Sequence, residues 1–287
     1  MAEIEIKDIS FSYGKGRPVL IEASATLRPG INLLMGPNGT GKTTLLKIMA
    51  GMLQPQSGQC LIDYHDISLR RPEALRRVFY LADEAQMPLP TIADMVRLHA
   101  PFYPNFSEKR LWENLSDFQM DGTEQLAQMS LGSRRKANLA YALSLGVDVL
   151  LLDEPANGLD ILAKKTLNKM IARSMTDDNI VVIATHTVME MEHLFDAVTF
   201  IDHGALPLSA SVEDITGRLA FVSTDRPVPG AIYSEPGVGG YRSIVRNTGG
   251  IESQIDYVLM FVAMAQGNAA TLVNIINEKE DECDGID

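Results

Sequence analysis

Eight residues limit what this chain can fold into more than any others: Gly36-Pro37-Asn38-Gly39-Thr40-Gly41-Lys42-Thr43. The run fits G-x-x-x-x-G-K-[ST]. A short apolar stretch, Ile31 to Met35, precedes it, and Thr43 to Met52 reads as a helix. A strand that turns through glycines straight into a helix has few solutions. Glycines let backbone N–H groups close around an anion with no side chain in the way. The helix N-terminus adds unsatisfied donors and the positive end of its dipole. Such a loop cradles phosphates. Lys42 is expected to reach the β- and γ-phosphates of a nucleotide, with the Thr43 hydroxyl on Mg2+ and Thr44 next in line. Pro37 presets one φ angle of the turn.

A second feature lies more than a hundred residues on. Val147 to Leu152 is apolar apart from Asp148, as a strand buried on both faces should be over Val149 to Leu152, and it ends in Asp153-Glu154-Pro155. Taken alone, Asp-Glu-Pro is as good a helix start as it is a pair of working carboxylates. Beside a phosphate loop the second reading gains weight. Asp153 is then placed to hold Mg2+ opposite Thr43, and Glu154 to polarise a water near the γ-phosphate.

The rest of the chain supplies the scaffold. Residues 2–13 alternate (Ile4, Ile6, Ile9, Phe11) and read as an antiparallel edge strand. Residues 78–82, Ile180 to Ala184 and Val198 to Asp202 are short apolar runs, and Ile161 to Met175 is an amphipathic helix. Strands alternating with helices argue for an α/β fold with a mainly parallel sheet. Residues 84–145 are mostly of helical period, broken by Pro88, Pro90, Pro101 and Pro104, and are too long for one crossover; they read as an inserted helical subdomain. Beyond residue 217 the composition changes. Nine Gly or Pro residues fall between Asp225 and Gly250, with room for short strands, and a helix is expected from Ile255 to about Ile276. Residues 218–287 are thus a small α+β appendage ending in an acidic, solvated tail.

Charge and cysteine content exclude some classes. A net charge of −12 argues against a protein that binds nucleic acid by neutralising phosphates. Two cysteines, Cys60 and Cys283, make no disulfide framework and fit a reducing compartment. The N-terminal stretch lacks a basic region followed by an apolar one, so no signal peptide is expected. No run of about 18 apolar residues is found, and Val258 to Ala265 is too short to cross a bilayer. Any membrane role is expected to come through a partner chain.

Further stretches narrow the family. Met129-Ser130-Leu131-Gly132-Ser133-Arg134-Arg135-Lys136 is similar to a signature usually written Leu-Ser-Gly-Gly-Gln followed by basic residues. Gly158-Leu159-Asp160 follows the acidic strand at the spacing of a D-loop, and His186 ends the strand Val181–Thr185 as a switch histidine does. Tyr13 stands where an aromatic stacks on adenine. With the phosphate loop, these residues give residues 3–217 a resemblance to the ATP-binding cassette (ABC) ATPases. The fold implied is a P-loop NTPase core with a mainly parallel sheet, an antiparallel β subdomain and the inserted helical subdomain, over residues 1–217.

The resemblance implies ATP and Mg2+ as cofactors and hydrolysis to ADP and phosphate. It implies a nucleotide sandwich between two copies of the chain, in which Gly36, Pro37, Asn38, Gly39, Thr40, Gly41, Lys42, Thr43, Thr44 and Tyr13 of one face Ser130 and Gly132 of the other. Asp160 would communicate across that interface, Thr43 and Asp153 would hold the metal, and Glu154, His186 and Lys42 would carry the chemistry. A separate transmembrane permease is the implied partner, with the chain peripheral on the cytoplasmic face of the inner membrane and no direct contact with nucleic acid. Glu84 to Phe106 would press on that partner, with Pro88, Leu89, Pro90 and Ile92 exposed.

Two departures stand out. Leu131 replaces the usual glycine, giving a Ser-Leu-Gly that is similar to exporter-type cassettes, notably drug exporter-like ones. Asp83 falls where the family has the Q-loop glutamine, with Glu84 beside it and Gln86 close by. A carboxylate there can still hold Mg2+ or water. A non-transport cassette acting mechanically on nucleic acid or the ribosome is the alternative, though those usually carry two cassettes or long coiled-coil insertions. A kinase or GTPase has no use for the signature stretch, and no Asn-Lys-x-Asp motif occurs.

Overall fold

The structure is a computed structural model that describes residues 2–84, 89–123 and 125–278. The chain divides into two compact units, with the break after Ser209.

The first unit opens with Ile4–Ser12 (β1) and Pro18–Leu27 (β2), followed by Gly30–Met35 (β3) and the helix Lys42–Met49 (α1). Ser57–Ile62 (β4), His65–Asp66 (β5), the short helix Pro72–Leu75 (α2) and Val78–Leu81 (β6) come next. One sheet is antiparallel, in the order β2-β1-β4-β5. β1 is therefore an inner strand and not the expected edge. Its alternating burial was legible, but pairing with β4 depends on a segment some fifty residues away.

The helical region holds Ile92–Asp94 (α3), Glu108–Asp117 (α4) and Leu131–Ala142 (α5). Each begins on a hydroxyl cap: Thr91, Ser107 and Ser130 accept from the N–H three residues on. Between α3 and α4 the chain passes through a π-helical turn, Met95–His99, and a 3-10 turn, Ala100–Phe102. His99 lies there among Phe79, Tyr103 and Tyr141, with Nδ1 2.7 Å from the Tyr141 hydroxyl.

Val149–Asp153 (β7), Ile161–Ser174 (α6), Ile180–Ala184 (β8), Ala197–Asp202 (β9) and Ala205–Ser211 (β10) complete the second sheet. Its order is β10-β9-β3-β8-β7-β6, and β9, β3, β8, β7 and β6 run parallel. β7 and β8 are buried at every residue, as strands covered on both faces must be. Alternate residues of these strands (Val149, Leu151, Ile180, Val182, Ala184) join a core with Leu45, Leu46 and Met49 of α1 and Ile4, Ile6 and Ile9 of β1. α1 is thus held between the two sheets. Because the five strands are parallel and in register, their carboxyl ends share one edge: Leu34 pairs with Ala184, Asp153 with Ala184, and Leu81 with Leu152. Open α/β sheets bind ligands outside that edge.

The second unit holds Val212–Arg218 (α7), Leu219–Thr224 (β11), Tyr233–Gly237 (β12), Gly240–Arg246 (β13), Tyr257–Ala263 (α8) and Ala269–Ile276 (α9). Its antiparallel sheet has the order β11-β13-β12. The break precedes the expected residue 217 because α7 belongs here: Asn247 donates from Nδ2 to the Thr216 carbonyl at 2.9 Å and from its main chain to that of Arg218 at 2.8 Å. The sequence has no unbroken run of about 18 apolar residues, but one stretch interrupted by polar residues comes near to a membrane span. By length and composition Tyr257–Ile276 qualifies, at mean hydropathy 1.5. It is no continuous helix, since Gly267 takes φ +95° between α8 and α9. Leu259, Met260, Leu272 and Ile275 are buried within the protein, as in a core layer. The acidic tail beyond Glu278, with Cys283, lies outside the described residues.

Candidate nucleotide site

The loop between β3 and α1 is shaped by close packing. A Cβ on Gly36 would lie 2.2 Å from the Ile201 carbonyl oxygen, so no side chain fits. Gly41 caps α1 at φ +112°, a conformation that only glycine adopts readily, and it turns the chain into the helix. Asn38, Gly39 and Thr40 form the turn, and Thr40 closes it by donating from its hydroxyl to the Pro37 carbonyl at 2.8 Å. Lys42 is buried, and its Nζ donates to the Gly36 and Pro37 carbonyls at 2.7 and 3.0 Å. Burial lowers its pKa below the ordinary lysine value, against the raising influence of the Glu154 and Asp153 charges. Tyr13 leaves about half of its surface exposed. Its ring packs edge-on against Phe11, and its hydroxyl lies 3.2 Å from Thr44 Oγ1.

Asp153 ends β7 beside this loop. Its Oδ2 accepts from Thr43 Oγ1 at 2.7 Å and from the Tyr80 hydroxyl at 3.0 Å. Burial pushes the Asp153 carboxyl up; the two hydrogen bonds oppose that, and the nearby Glu154 and Asp83 charges add to it. Thr43 and Asp153 together offer hard oxygen donors. Among the described residues no group of three or more His, Cys, Asp and Glu side chains forms a metal cage. That donor set fits Mg2+, which usually takes one or two carboxylates and completes its shell with substrate phosphates and water.

Glu154 follows in a left-handed conformation, φ +50°. Its main-chain N–H donates to the Ala184 carbonyl at 2.8 Å. Its carboxylate accepts from Thr185 Oγ1 at 3.0 Å and from the main-chain N–H of His186 at 3.1 Å. His186 Nδ1 stands 2.8 Å from Glu154 Oε1, and the imidazole is half exposed. The ends of β7 and β8 thus bring Glu154 and His186 together.

A second group gathers around the start of α5. Ser130 caps that helix, accepting from the Ser133 N–H at 3.1 Å. Around Gly132 there is open space, the closest atom to a Cβ there being the Gly158 carbonyl at 3.9 Å. Asp160 caps α6 through the Ala163 N–H at 2.8 Å and pairs with Lys136 at 3.3 Å. Those contacts, the backbone one first, lower its carboxyl pKa. Asp83 does not stand free for a metal. It is paired with Arg135 and accepts from Asn157 Nδ2 at 3.2 and 3.3 Å. A cavity of about 380 Å³ opens beside it, lined by Glu84, Leu131, Arg134 and Asn157 among others.

In the segment expected to face a partner, Pro90 is exposed and Leu89 half-buried, but Ile92 is buried at 1% exposure as the first residue of α3. Leu98 and Phe102 are exposed there instead. Pro88 and Gln86 lie outside the described residues. Sequence reasoning missed Tyr80, Thr185 and Arg135. Thr185 borders the switch histidine and Arg135 sits inside the signature stretch, so both were in view; Tyr80 carried no signal beyond its place in a strand.

Residues 20–157 match the family described as ABC transporter. The manganese transport system ATP-binding protein MntA of Synechocystis is 30% identical over 215 residues, 71% of this chain and 80% of that protein. The chain belongs to the ABC transporter family. It carries that family's ATP-binding domain. The probable iron export ATP-binding protein FetA of Escherichia coli is 31% identical over 70% of this chain and 92% of its own length. A solved structure of an ATP-binding subunit of an ABC transporter superimposes with a TM-score of 0.67 at 24% identity, covering 74% of this chain and 91% of that one, a likeness of fold. The residues matched by the family, 20–157, all lie in the first unit.

Proposed function

We propose that this chain is the ATP-hydrolysing subunit of an ABC transporter and drives a separate transmembrane chain through ATP-dependent pairing of two copies. The observation that carries this reading is the grouping of Lys42, Thr43, Asp153, Glu154 and His186 at the carboxyl ends of neighbouring parallel strands. Tyr13 lies beside Thr44, where an adenine ring would stack. The loop amides and the Lys42 ammonium bind the β- and γ-phosphates. Thr43 and Asp153 hold Mg2+, which when bound neutralises phosphate charge. Glu154 accepts a proton from the attacking water, and His186 orients that carboxylate through the contact at 2.8 Å. Ser130 and the open backbone at Gly132 meet the γ-phosphate of the nucleotide on the second copy. Loss of that phosphate removes the contact, so affinity between copies switches with hydrolysis. Family members of this kind work at the cytoplasmic face of a membrane, through their membrane partner.

The test is Glu154→Gln. It removes the base and leaves the fold and phosphate contacts in place. The variant is expected to form a dimer with ATP and a monomer with ADP in size-exclusion chromatography with light scattering. Tagged protein with ATP, added to solubilised membranes of the source cell, is expected to retain a polytopic membrane protein. Wild-type turnover by the variant would remove Glu154 from the role of base. Recovery of ribosomal or DNA-repair proteins alone would overturn the transporter reading.

A further inference from the structure

Glu154 is held at more points than its role as a base requires. Its amide and its carboxylate have the partners given above. Pro155 follows it and has no N–H. The peptide after Glu154 therefore carries one polar group, the Glu154 carbonyl. Two donors converge on that oxygen: Arg135 Nη2 at 2.6 Å and the Asn157 N–H at 3.1 Å. Arg135 Nη2 is also paired with Asp83 Oδ1, and Asn157 Nδ2 reaches both oxygens of Asp83. The result is a closed ring of hydrogen bonds through Asp83, Arg135, the Glu154 carbonyl and Asn157. It joins three segments: the end of β6, the first turns of α5 and the loop after β7. The Arg135 side chain is 12% exposed, so the guanidinium at the centre of the ring is shielded, while the Asp83 side chain is 38% exposed and Asn157 faces water.

The chemistry of the ring depends on the pairing of a carboxylate at position 83 with a guanidinium at position 135. A guanidinium offers several donors in a fixed plane and can serve a carboxylate and a carbonyl at once. A glutamine at position 83, as in the resembling family, would bring no charge to hold it. A left-handed glutamate persists only where its surroundings hold it, and such residues gather at sites where geometry matters. The carbonyl and the side chain hang from the same Cα, so contacts that pin the carbonyl also help to pin the Cα from which the carboxylate reaches Thr185 and His186.

We propose that Arg135, anchored by Asp83, is a positioning residue for hydrolysis: it fixes the Glu154 carbonyl and so aims the Glu154 carboxylate at the attacking water. The base is then aligned only while the start of α5, which carries Ser130 and Gly132, is docked against the loop after β7. Placement of the signature helix and readiness of the base become one event within a single chain. This rests on the reading of Glu154 as the general base.

The test uses the full chain, purified as wild type, Arg135→Ala, Arg135→Lys, Asp83→Ala, the double variant Arg135→Ala/Asp83→Ala, and Glu154→Gln. Four quantities are read: kcat and KM for ATP, affinity for a fluorescent ATP analogue, and Tm. Misplacing a reacting group by about 1 Å costs about 10²-fold, so Arg135→Ala is expected to lower kcat by about 10- to 100-fold. KM and analogue affinity stay within about twofold, because no phosphate contact is touched. Arg135→Lys recovers part of kcat, since an ammonium still donates but lacks the planar fork. The double variant is no slower than Arg135→Ala, because Asp83 acts through Arg135. A kcat for Arg135→Ala within twofold of wild type, a loss confined to KM, or losses that follow Tm across the set would overturn the proposal. Glu154→Gln separates the two failures. If it is inactive while Arg135→Ala matches wild type, the positioning role alone is wrong. If it hydrolyses ATP like wild type, Glu154 is not the base and the positioning role falls with it.

Discussion

Tyr80→Phe is the smallest change that tests the electrostatics of the metal-holding carboxylate. It removes one oxygen and leaves the ring in β6. In the native chain that hydroxyl donates to Asp153 Oδ2 at 3.0 Å, on the same oxygen that Thr43 Oγ1 reaches at 2.7 Å. Asp153 is 6% exposed, so water is poorly placed to substitute for the lost donor. A hydrogen bond to a charged group contributes about 1.5–3 kcal/mol. The Thr43 bond remains, and it serves the same oxygen, so the lower end applies. At about 1.4 kcal/mol for each factor of ten, about 1.5 kcal/mol is roughly a tenfold change. The sign follows from Asp153 already being raised by burial and lowered by this bond. Without the bond the ionised carboxylate is less favoured, and a cation that needs it binds more weakly. Steady-state ATPase against free Mg2+ at fixed ATP is therefore expected to show half-saturation about tenfold higher, with a maximal rate near wild type at high Mg2+. An unchanged Mg2+ dependence, in a variant whose Tm matches wild type, would show that the hydroxyl has no electrostatic part in the site.

Two further expectations concern the phosphate loop. Burial lowers the Lys42 pKa in the free protein, and bound phosphate holds the proton on. Nucleotide affinity is thus full while free Lys42 is protonated and falls as pH rises through its lowered pKa; titration calorimetry with an ATP analogue at increasing pH should show that fall beginning below the ordinary lysine value of 10.5. Gly36→Ala places a Cβ 2.2 Å from the Ile201 carbonyl and 2.7 Å from its Cγ2. Because the closer atom is backbone and has little room to yield, overpacking of about 1–3 kcal/mol is expected, read as a lower Tm and weaker nucleotide binding together; an unchanged Tm refutes it.

What was legible in the sequence follows from burial. β7 and β8 are covered on both faces, so they appear as unbroken apolar runs that stop where the chain meets the sheet edge. Asp153 and Glu154 stand at one of those stops and were singled out beside the phosphate loop, whereas His186, at the other, was singled out only through the family resemblance. Lys42 and the glycines were legible because a phosphate loop demands those residue types. What failed to show depended on neighbours far along the chain. Tyr80 matters only because β6 lies next to β7, and Arg135 only because α5 packs on the loop beyond it. The inner position of β1 depends on β4, and the burial of Ile92 on where α3 docks. Asp83 was placed near the metal because it falls at the Q-loop position of the resembling family; its pairing with Arg135 is a tertiary fact that no local pattern encodes.

The conformation of Glu154 admits a direct test that needs no nucleotide. In a strand successive side chains point to opposite faces, so Asp153 and a strand-like Glu154 would diverge. The left-handed turn at φ +50° breaks that alternation and lets Glu154 reach the neighbouring strand end at Thr185 and His186. For an L-residue this conformation costs about 1–2 kcal/mol. Glycine does not carry that cost, though its freer unfolded chain makes it about 0.5–1 kcal/mol less stabilising than alanine at ordinary positions. Comparing Glu154→Gly with Glu154→Ala cancels the lost carboxylate, which both variants share. Only the backbone term remains, and its sign is expected to invert: the glycine variant should be the more stable, by up to about 1.5 kcal/mol. Chemical denaturation of the two variants reads that difference as a higher midpoint for glycine at equal slope. If alanine proves the more stable, the left-handed conformation is relaxed in solution. The carboxylate would then need some other means of reaching His186.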